Sequence, residues 1–251
     1  MIDFYGLVLA AGMGKRLRAS ENDTYPKVLR QVDGRHMVLY VLDALHGAGV
    51  DDICVVIGVG AELVREALGG SVTYAVQPTQ EGSGHATKCA REALAGKSRH
   101  IVLMCGDSPL FTSKTIQNLM REHVEKKASI TLLSAELDDP FGYGRIVRRD
   151  GQVTAIVEEK NASPEDKLVR EINGGCYAFD ADWLWANIDR IERNETGELY
   201  LTDMVQFAIE DGLTVVTSPV APEEILGVNN PEQLKEAEEV LRRRQSDGAR
   251  C

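Results

Sequence analysis

The feature that most narrows the fold is an alternation of two hydrophobic periods across the first half of the chain. Short apolar runs, "YGLVLA", "DICVVIG", "VTYAVQ" and "HIVLMCG", read as strands. Between them stand stretches of helical spacing, "HMVLYVLDALHGAG", "AELVREALGG" and "GHATKCAREALAG", and "SKTIQNLMREHVEKK" follows the fourth run. Strands that alternate with helices demand right-handed crossovers, a parallel sheet and helices on both of its faces. The near-continuous apolar character of the runs fits burial on both sides. We therefore expect an α/β chain with a Rossmann-like, three-layer α/β/α fold and a mostly parallel central sheet.

From about residue 128 the pattern changes. "SITLLSAEL", "YGRIVRRDGQVTAIVEE" and "INGGCYAF" read as strands without long helices between them, with a hairpin turn at Asp150 and Gly151. Helical stretches "DWLWANIDRI" and "YLTDMVQFAIEDG", a strand "LTVVTSP" and a terminal helix "PEQLKEAEEVLRRR" complete the chain. No Pro/Gly/Ser-rich linker and no internal repeat interrupts it. The expectation is one domain over 1–251. Its parts are a first half at 1–127, a second half at 128–230 that adds a smaller substrate-facing β subregion, and a terminal helix at 231–251.

Composition enters as a set of exclusions. A net charge of −11 argues against general nucleic-acid binding, so any anion site must be a local basic spot. Five cysteines, odd in number and without a C-x-x-C pair, read as reduced thiols of a cytoplasmic protein. No apolar run approaches the roughly 20 residues of a spanning helix. The charges beside "GLVLAAG" follow the apolar run instead of preceding it, which argues against a signal peptide. The triplets at Asn22, Asn161 and Asn194 then carry no glycosylation.

The first strand runs into "GMGKRL". Ligands of open α/β sheets bind beyond the carboxyl ends of the strands. There Gly12 and Gly14 would take positive φ and let the backbone approach a ligand, with Lys15 and Arg16 beside it for phosphate oxygens. The turn is not a P-loop, because Leu9 and Arg16 occupy positions that need glycine and Ser/Thr. Nor is it a dinucleotide fingerprint, because Leu17 stands where a third small residue belongs, and Gly58 and Gly60 in "GVGAEL" fail likewise.

After this turn come "TYPKVLRQVDGRHMV", "QPTQEGSGHA", "MCGDSPL", "FGYGRI", "VEEKN", "EINGG", "GELYLTD" and "GVNN", in that order. From about Leu7 to Gln233 this series closely resembles the nucleotidyltransferase domain of bacterial N-acetylglucosamine-1-phosphate uridylyltransferases, within the sugar nucleotidyltransferase superfamily. The resemblance implies attack of a sugar 1-phosphate on the α-phosphorus of UTP, giving UDP-sugar and pyrophosphate. Such a reaction needs positioning, charge neutralisation and Mg²⁺ more than a general base.

It further implies that Arg16 and Lys27 handle the triphosphate and the departing pyrophosphate. The pair Asp107 and Asn229 would hold Mg²⁺. The nucleotide would lie on Leu9, Ala10, Ala11, Gly12, Gly14 and Lys15, with its base against Gln77, Gln80, Gly82 and Ser83. The sugar would meet Gly106, Tyr143, Gly144, Glu158, Asn173 and Thr202. His85 is read as structural. The implied partners are UTP and a sugar 1-phosphate, with no nucleic acid or membrane, in a monomer or dimer. No hexapeptide repeats of a left-handed β-helix follow, so no acetyltransferase activity is expected.

The chain departs from the pattern in three places. Lys15 replaces a threonine, residues 17–26 form a longer segment, and Gly174 stands where a hydroxyl would approach the sugar. Glucose, galactose or N-acetylgalactosamine 1-phosphate, a CTP- or dTTP-dependent enzyme, and a silent sugar-nucleotide sensor are the competing readings. The sensor should have lost a cation or a metal ligand, yet Arg16, Lys27, Asp107 and Asn229 are all present.

Overall fold

A computed structural model describes residues 3–12, 14–17 and 23–246. Its elements are β1 (Phe4–Leu9), β2 (Gln31–Val32), β3 (Arg35–His36), α1 (Met37–Gly47), β4 (Ile53–Ile57), α2 (Ala61–Leu68), β5 (Thr73–Val76), α3 (Ser83–Cys89), α4 (Arg91–Leu94) and β6 (His100–Cys105). They continue as α5 (Ser113–Glu125), β7 (Ile130–Glu136), β8 (Arg145–Arg149), β9 (Gln152–Val157), β10 (Glu171–Asp180), α6 (Ala181–Asn187), α7 (Asp203–Glu210), β11 (Val215–Pro219) and α8 (Pro231–Ser246). No helix among the described residues is long and apolar enough to cross a membrane.

The main sheet has the order β11-β7-β10-β6-β1-β4-β5, with the β8–β9 hairpin attached through β10. All neighbours on this path are parallel except β10, which runs antiparallel to both β6 and β7. Along β1 successive side chains alternate between faces. Leu7 joins Cys54, Val56 and Leu103 in one cluster, and Val8 joins Val55, Val102 and Met104 in the other. Helices α1 and α5 cover the second face, and α3, α6 and α7 cover the first. This is the three-layer α/β/α arrangement that the alternating periods predict. A smaller cluster of Val32, Met37, Leu110, Val228 and Val240 docks α8 onto the β2–β3 hairpin.

The sheet order places the site. The crossover from β1 leads to β4 and the one from the adjacent β6 leads the other way to β7, so the two carboxyl ends send the chain in opposite directions and open a crevice there. Leu9 and Cys105, the last residues of β1 and β6, lie opposite each other. Because β10 is reversed, its beginning lies at the same edge. A bulge between Asn173 and Tyr177 turns that beginning toward β8, where Ile172 pairs Arg145.

Two local features differ from the sequence expectation. The helix expected over "GHATKCAREALAG" breaks at Ala90, whose amide bonds to the Thr87 carbonyl, a tightened i→i−3 turn. The hairpin β2–β3 was not expected. Its turn, Asp33 (φ 50°) and Gly34 (φ 76°), has the same left-handed pair as Asp150 and Gly151 between β8 and β9.

A buried imidazole pair lies far from the crevice. His123 of α5 is fully buried, with Nδ1 3.1 Å from Thr131 Oγ1 and Nε2 3.2 Å from His100 Nδ1. Burial, with His100 beside it, pushes His123 down to about 4, and burial with Arg99 lowers His100 too. Unfolded imidazoles titrate near 6.5 and take up protons that the folded pair refuses. Their contribution is therefore complete above about pH 6.5 and is lost as pH falls toward 4, by up to about 3 kcal/mol for His123. Urea unfolding across that interval should show the loss, and His123→Gln should flatten it. An unchanged pH profile in the variant would place the acid sensitivity elsewhere.

Candidate active site

A cleft of about 520 Å³ opens at the carboxyl ends of β1 and β6. Its floor is the glycine turn, and Leu9, Ala11, Gly12, Gly14 and Arg16 line it. Ala10 N–H donates to Val56 O at 2.8 Å and Gly106 N–H to Leu9 O at 2.9 Å, so the turn leaves the sheet from both neighbouring strands. Its two glycines have different causes. A Cβ on Gly12 would meet no atom of the described residues within 4 Å, and its φ is not positive, contrary to expectation. The space over Gly12 is open for a ligand. Gly14 has φ +57°, and a Cβ there would lie 2.7 Å from the Cβ of Lys27. Gly14 therefore exists to let the turn lie on the lysine's aliphatic stem. Gly58, rejected above as a fingerprint glycine, admits Ala11 and Gln80: its own Cβ would stand 2.8 Å from Gln80 Nε2. The Lys15 side chain and residues 18–22 of the longer segment lie outside what the structure describes.

Lys27 begins a single 3₁₀ turn and is buried, yet its ammonium reaches the cleft. There it pairs with Asp107 Oδ2 and donates to Asn229 Oδ1 at 2.7 Å. Asp107 follows β6, and Asn229 precedes α8. The two segments are tied by Val228 N–H donating to Asp107 O at 3.0 Å. Gln233 Oε1 accepts from Asn229 N–H at 2.8 Å and holds the asparagine in place. One carboxylate and one amide oxygen thus converge on a single cation position. That donor set suits a hard divalent ion that keeps waters and phosphate oxygens for its remaining sites.

The opposite wall comes from the loop before α3. Gln77 is 4% exposed, and its Nε2 donates to Gly82 O at 3.1 Å, which leaves the carboxamide oxygen as an acceptor. Gly82 has φ +105°, and a Cβ on it would lie 2.4 Å from Leu199 O. Leu199 N–H donates to Glu81 O and Leu199 O accepts from Gly84 N–H, while Ser83 Oγ accepts from Leu201 N–H at 3.0 Å. The wall is therefore latched to residues 199–201. His85 Nδ1 lies 3.0 Å from Thr79 O and closes the same loop.

Cys105, the last residue of β6, also lines the cleft. Burial pushes its thiol up to about 12, with Asp107 and Glu158 adding to the effect, so it is no nucleophile near neutral pH. Thr202 Oγ1 donates to Glu158 Oε1 at 3.0 Å, and a Cβ on Gly144 would come within 3.4 Å of the same oxygen. Burial pushes the Glu158 carboxyl up. Asn173 N–H donates to Gly144 O, its Nδ2 to Tyr177 Oη at 2.6 Å, and its Oδ1 accepts from Gly175 N–H. Gly144, Glu158, Asn173 and Thr202 are thus brought together. Gly106 is packed against Val28 and Leu9.

Tyr143 also lines a second cavity with Glu236 and Arg243, and its hydroxyl lies near the Gly227 backbone and Asp107. Gly174 differs from expectation, since a Cβ there would meet Leu133 O at 2.9 Å and Ile225, not a cleft residue. Lys160 and Glu198, 3.6 Å apart at the cleft, were missed by sequence reasoning although "VEEKN" and "GELYLTD" contain them.

The family model described as nucleotidyl transferase matches residues 5–245. The chain belongs to the nucleotidyl transferase family. Within it, the chain is 44% identical over 240 residues to the bifunctional protein GlmU of Clostridium beijerinckii, which covers 95% of this chain and 52% of that protein. It is 46% identical over 241 residues to GlmU of Heliobacterium modesticaldum, with the same coverage. The chain spans about half the length of the curated relatives it matches. A crystal structure of a Bacillus anthracis protein named as a glucose-1-phosphate thymidylyltransferase superposes with a TM-score of 0.80 at 21% identity, covering 95% of each chain, and shows the shared fold. The nucleotidyl transferase fold accounts for where the cleft lies, because both the glycine turn and Asp107 are carboxyl-terminal extensions of adjacent parallel strands.

Proposed function

We propose that this nucleotidyl transferase moves UMP from UTP to a sugar 1-phosphate, with N-acetylglucosamine 1-phosphate as the favoured acceptor. The observation that carries the reading is the convergence of Asp107 and Asn229 on one cation position beside the open face of Gly12. The likeness to proteins named GlmU directs the choice of uridine and of the amino sugar.

In the proposed reaction an ionised oxygen of the sugar 1-phosphate bonds to the α-phosphorus. The bond from that phosphorus to the bridging oxygen breaks, and its electron pair leaves with pyrophosphate. The acceptor oxygen is already anionic at neutral pH, so no side chain need take a proton. The triphosphate lies over the glycine turn, and Arg16 offsets the charge that collects on the departing pyrophosphate. Magnesium held by Asp107 and Asn229 would supply charge neutralisation at the phosphates. Gln77, its carboxamide nitrogen engaged with Gly82, presents an oxygen to the N3–H of uracil, whereas the N3 of cytosine is itself an acceptor. Glu158, Thr202, Asn173 and Gly144 face the sugar hydroxyls and acetamido group.

The test pairs each of the four ribonucleoside triphosphates and dTTP with a panel of sugar 1-phosphates, in Mg²⁺, and follows pyrophosphate. Release confined to UTP with N-acetylglucosamine 1-phosphate is the expected result. Preference for another sugar would retain the uridylyl transfer and replace the acceptor. Preference for CTP or dTTP would overturn the base assignment, and nucleotide binding without release would make the protein a sensor.

A further inference from the structure

We infer that Lys27 is a built-in occupant of the divalent-ion seat, and that a nucleotide must draw its ammonium away before the ion binds. The inference rests on reading Asp107 and Asn229 as the ion's oxygen donors. Both oxygens are turned onto the Lys27 ammonium, from segments 80 and 202 residues away in sequence. An ammonium and a divalent ion cannot share the same two oxygens, because their charges would face each other at a few ångströms in a partly dehydrated cleft.

The lysine cannot withdraw as a whole. Its stem lies under Gly14, where even an added Cβ would be only 2.7 Å away, and its backbone is held in the turn Lys27–Leu29. Pro26 before it rests on Gly60, where an added Cβ would lie 2.6 Å from the proline ring. Only the far end of the side chain is left to swing.

Swinging needs an anion to receive the charge. Among the described residues that line the cleft, the carboxylate besides Asp107 is Glu198, which is already opposite Lys160. The Lys27 stem carries the glycine turn, so a triphosphate on that turn presents its oxygens next to the displaced ammonium. Ion and nucleotide then load together. Without nucleotide the seat is neutralised by the protein's own cation and refuses a bare divalent ion. Linkage makes the coupling reciprocal: the factor by which nucleotide raises ion affinity is the factor by which the ion raises nucleotide affinity.

The experiment measures Mn²⁺ affinity without nucleotide, from the electron paramagnetic resonance signal of free Mn²⁺. Lys27→Met and Lys27→Gln should each bind Mn²⁺ about tenfold more tightly than the unmodified protein. Arg16→Met, which removes a cation from the same cleft without emptying the seat, should stay within about twofold. Adding Asp107→Ala to Lys27→Met should abolish the gain. In the unmodified protein, which no substitution can unfold, Mn²⁺ should bind at least about tenfold more tightly with saturating UTP than alone, after correction for Mn²⁺ chelated by UTP in solution.

Unchanged affinity in both Lys27 variants, with Asp107→Ala still removing the ion, overturns the exchange and leaves the seat standing. So does equal affinity with and without UTP. A gain as large in Arg16→Met reduces the effect to net charge and overturns the exchange too. Mn²⁺ binding that survives Asp107→Ala overturns the seat itself, and with it the metal assignment made under the proposed function.

Discussion

Asp107→Ala should lower the proposed uridylyl transfer at saturating substrate by at least about 10³-fold, roughly 4 kcal/mol of transition-state stabilisation, while the protein stays folded. The carboxylate is the only charged donor of the proposed ion seat, and Asn229 alone offers a neutral oxygen. Removal also strands the Lys27 ammonium, but that group lies at the cleft, where water can reach it. The backbone bond from Val228 N–H to Asp107 O is indifferent to the side chain. A melting point lowered by only a few degrees is therefore expected. The loss should fall on kcat more than on the KM for UTP: Gly12, Gly14 and Gln77 do not depend on the carboxylate for their positions, and the KM should rise only by about the factor of the ion–nucleotide linkage. Steady-state pyrophosphate release measures both. Turnover within about tenfold of the parent would show that the ion is held elsewhere.

Gly82→Ala should cost roughly 3 kcal/mol of stability or more and weaken UTP binding by at least about tenfold. The backbone at Gly82, φ 105° and ψ 176°, is open to glycine and almost closed to other residues. The added methyl would meet Leu199 O at 2.4 Å and Leu199 N at 2.8 Å. Neither atom can retreat freely, since Leu199 N–H and O are bonded to Glu81 and Gly84 at 2.7 and 2.8 Å. The loop must move instead. Gly82 O then leaves Gln77 Nε2, and the carboxamide loses the bond that orients it. Gly96→Ala is the control. Its φ is +74° and no atom of the described residues lies within 4 Å of an added Cβ, so it carries a milder positive-φ strain without the collision and should cost about 1 kcal/mol. Thermal unfolding with and without UTP separates the two. Equal losses in both variants would mean that strain alone acts and that the latch to Leu199 is dispensable.

Much of the architecture was legible because burial on both faces leaves a clear mark. β1, β4 and β6 are buried almost throughout, and such strands show as unbroken apolar runs whatever their partners. The hairpin β2–β3 was hidden, since two residues per strand carry no period. The position of β10 was hidden too. "INGGCYAF" declares a strand, but its insertion between β6 and β7, reversed, depends on what the β8–β9 excursion does in space. The glycines show the same limit. Residue type alone could not tell that Gly12 faces open space, that Gly14 and Gly58 are packing glycines, or that Gly174 turns toward Ile225. Lys160 and Glu198 read as ordinary surface charges until the cleft brings them to face each other.

Residue order by itself determined the periods of strand and helix. Those dictate three layers, a largely parallel sheet and a glycine turn ending the first strand, because side-chain alternation is a local property of the chain. Only the tertiary structure decided that Asp107 and Asn229 aim at one point and that Lys27 stands there. Convergence of oxygens 80 and 202 residues from the lysine is set by sheet order and by the docking of the segment before α8, and both arise from long-range packing.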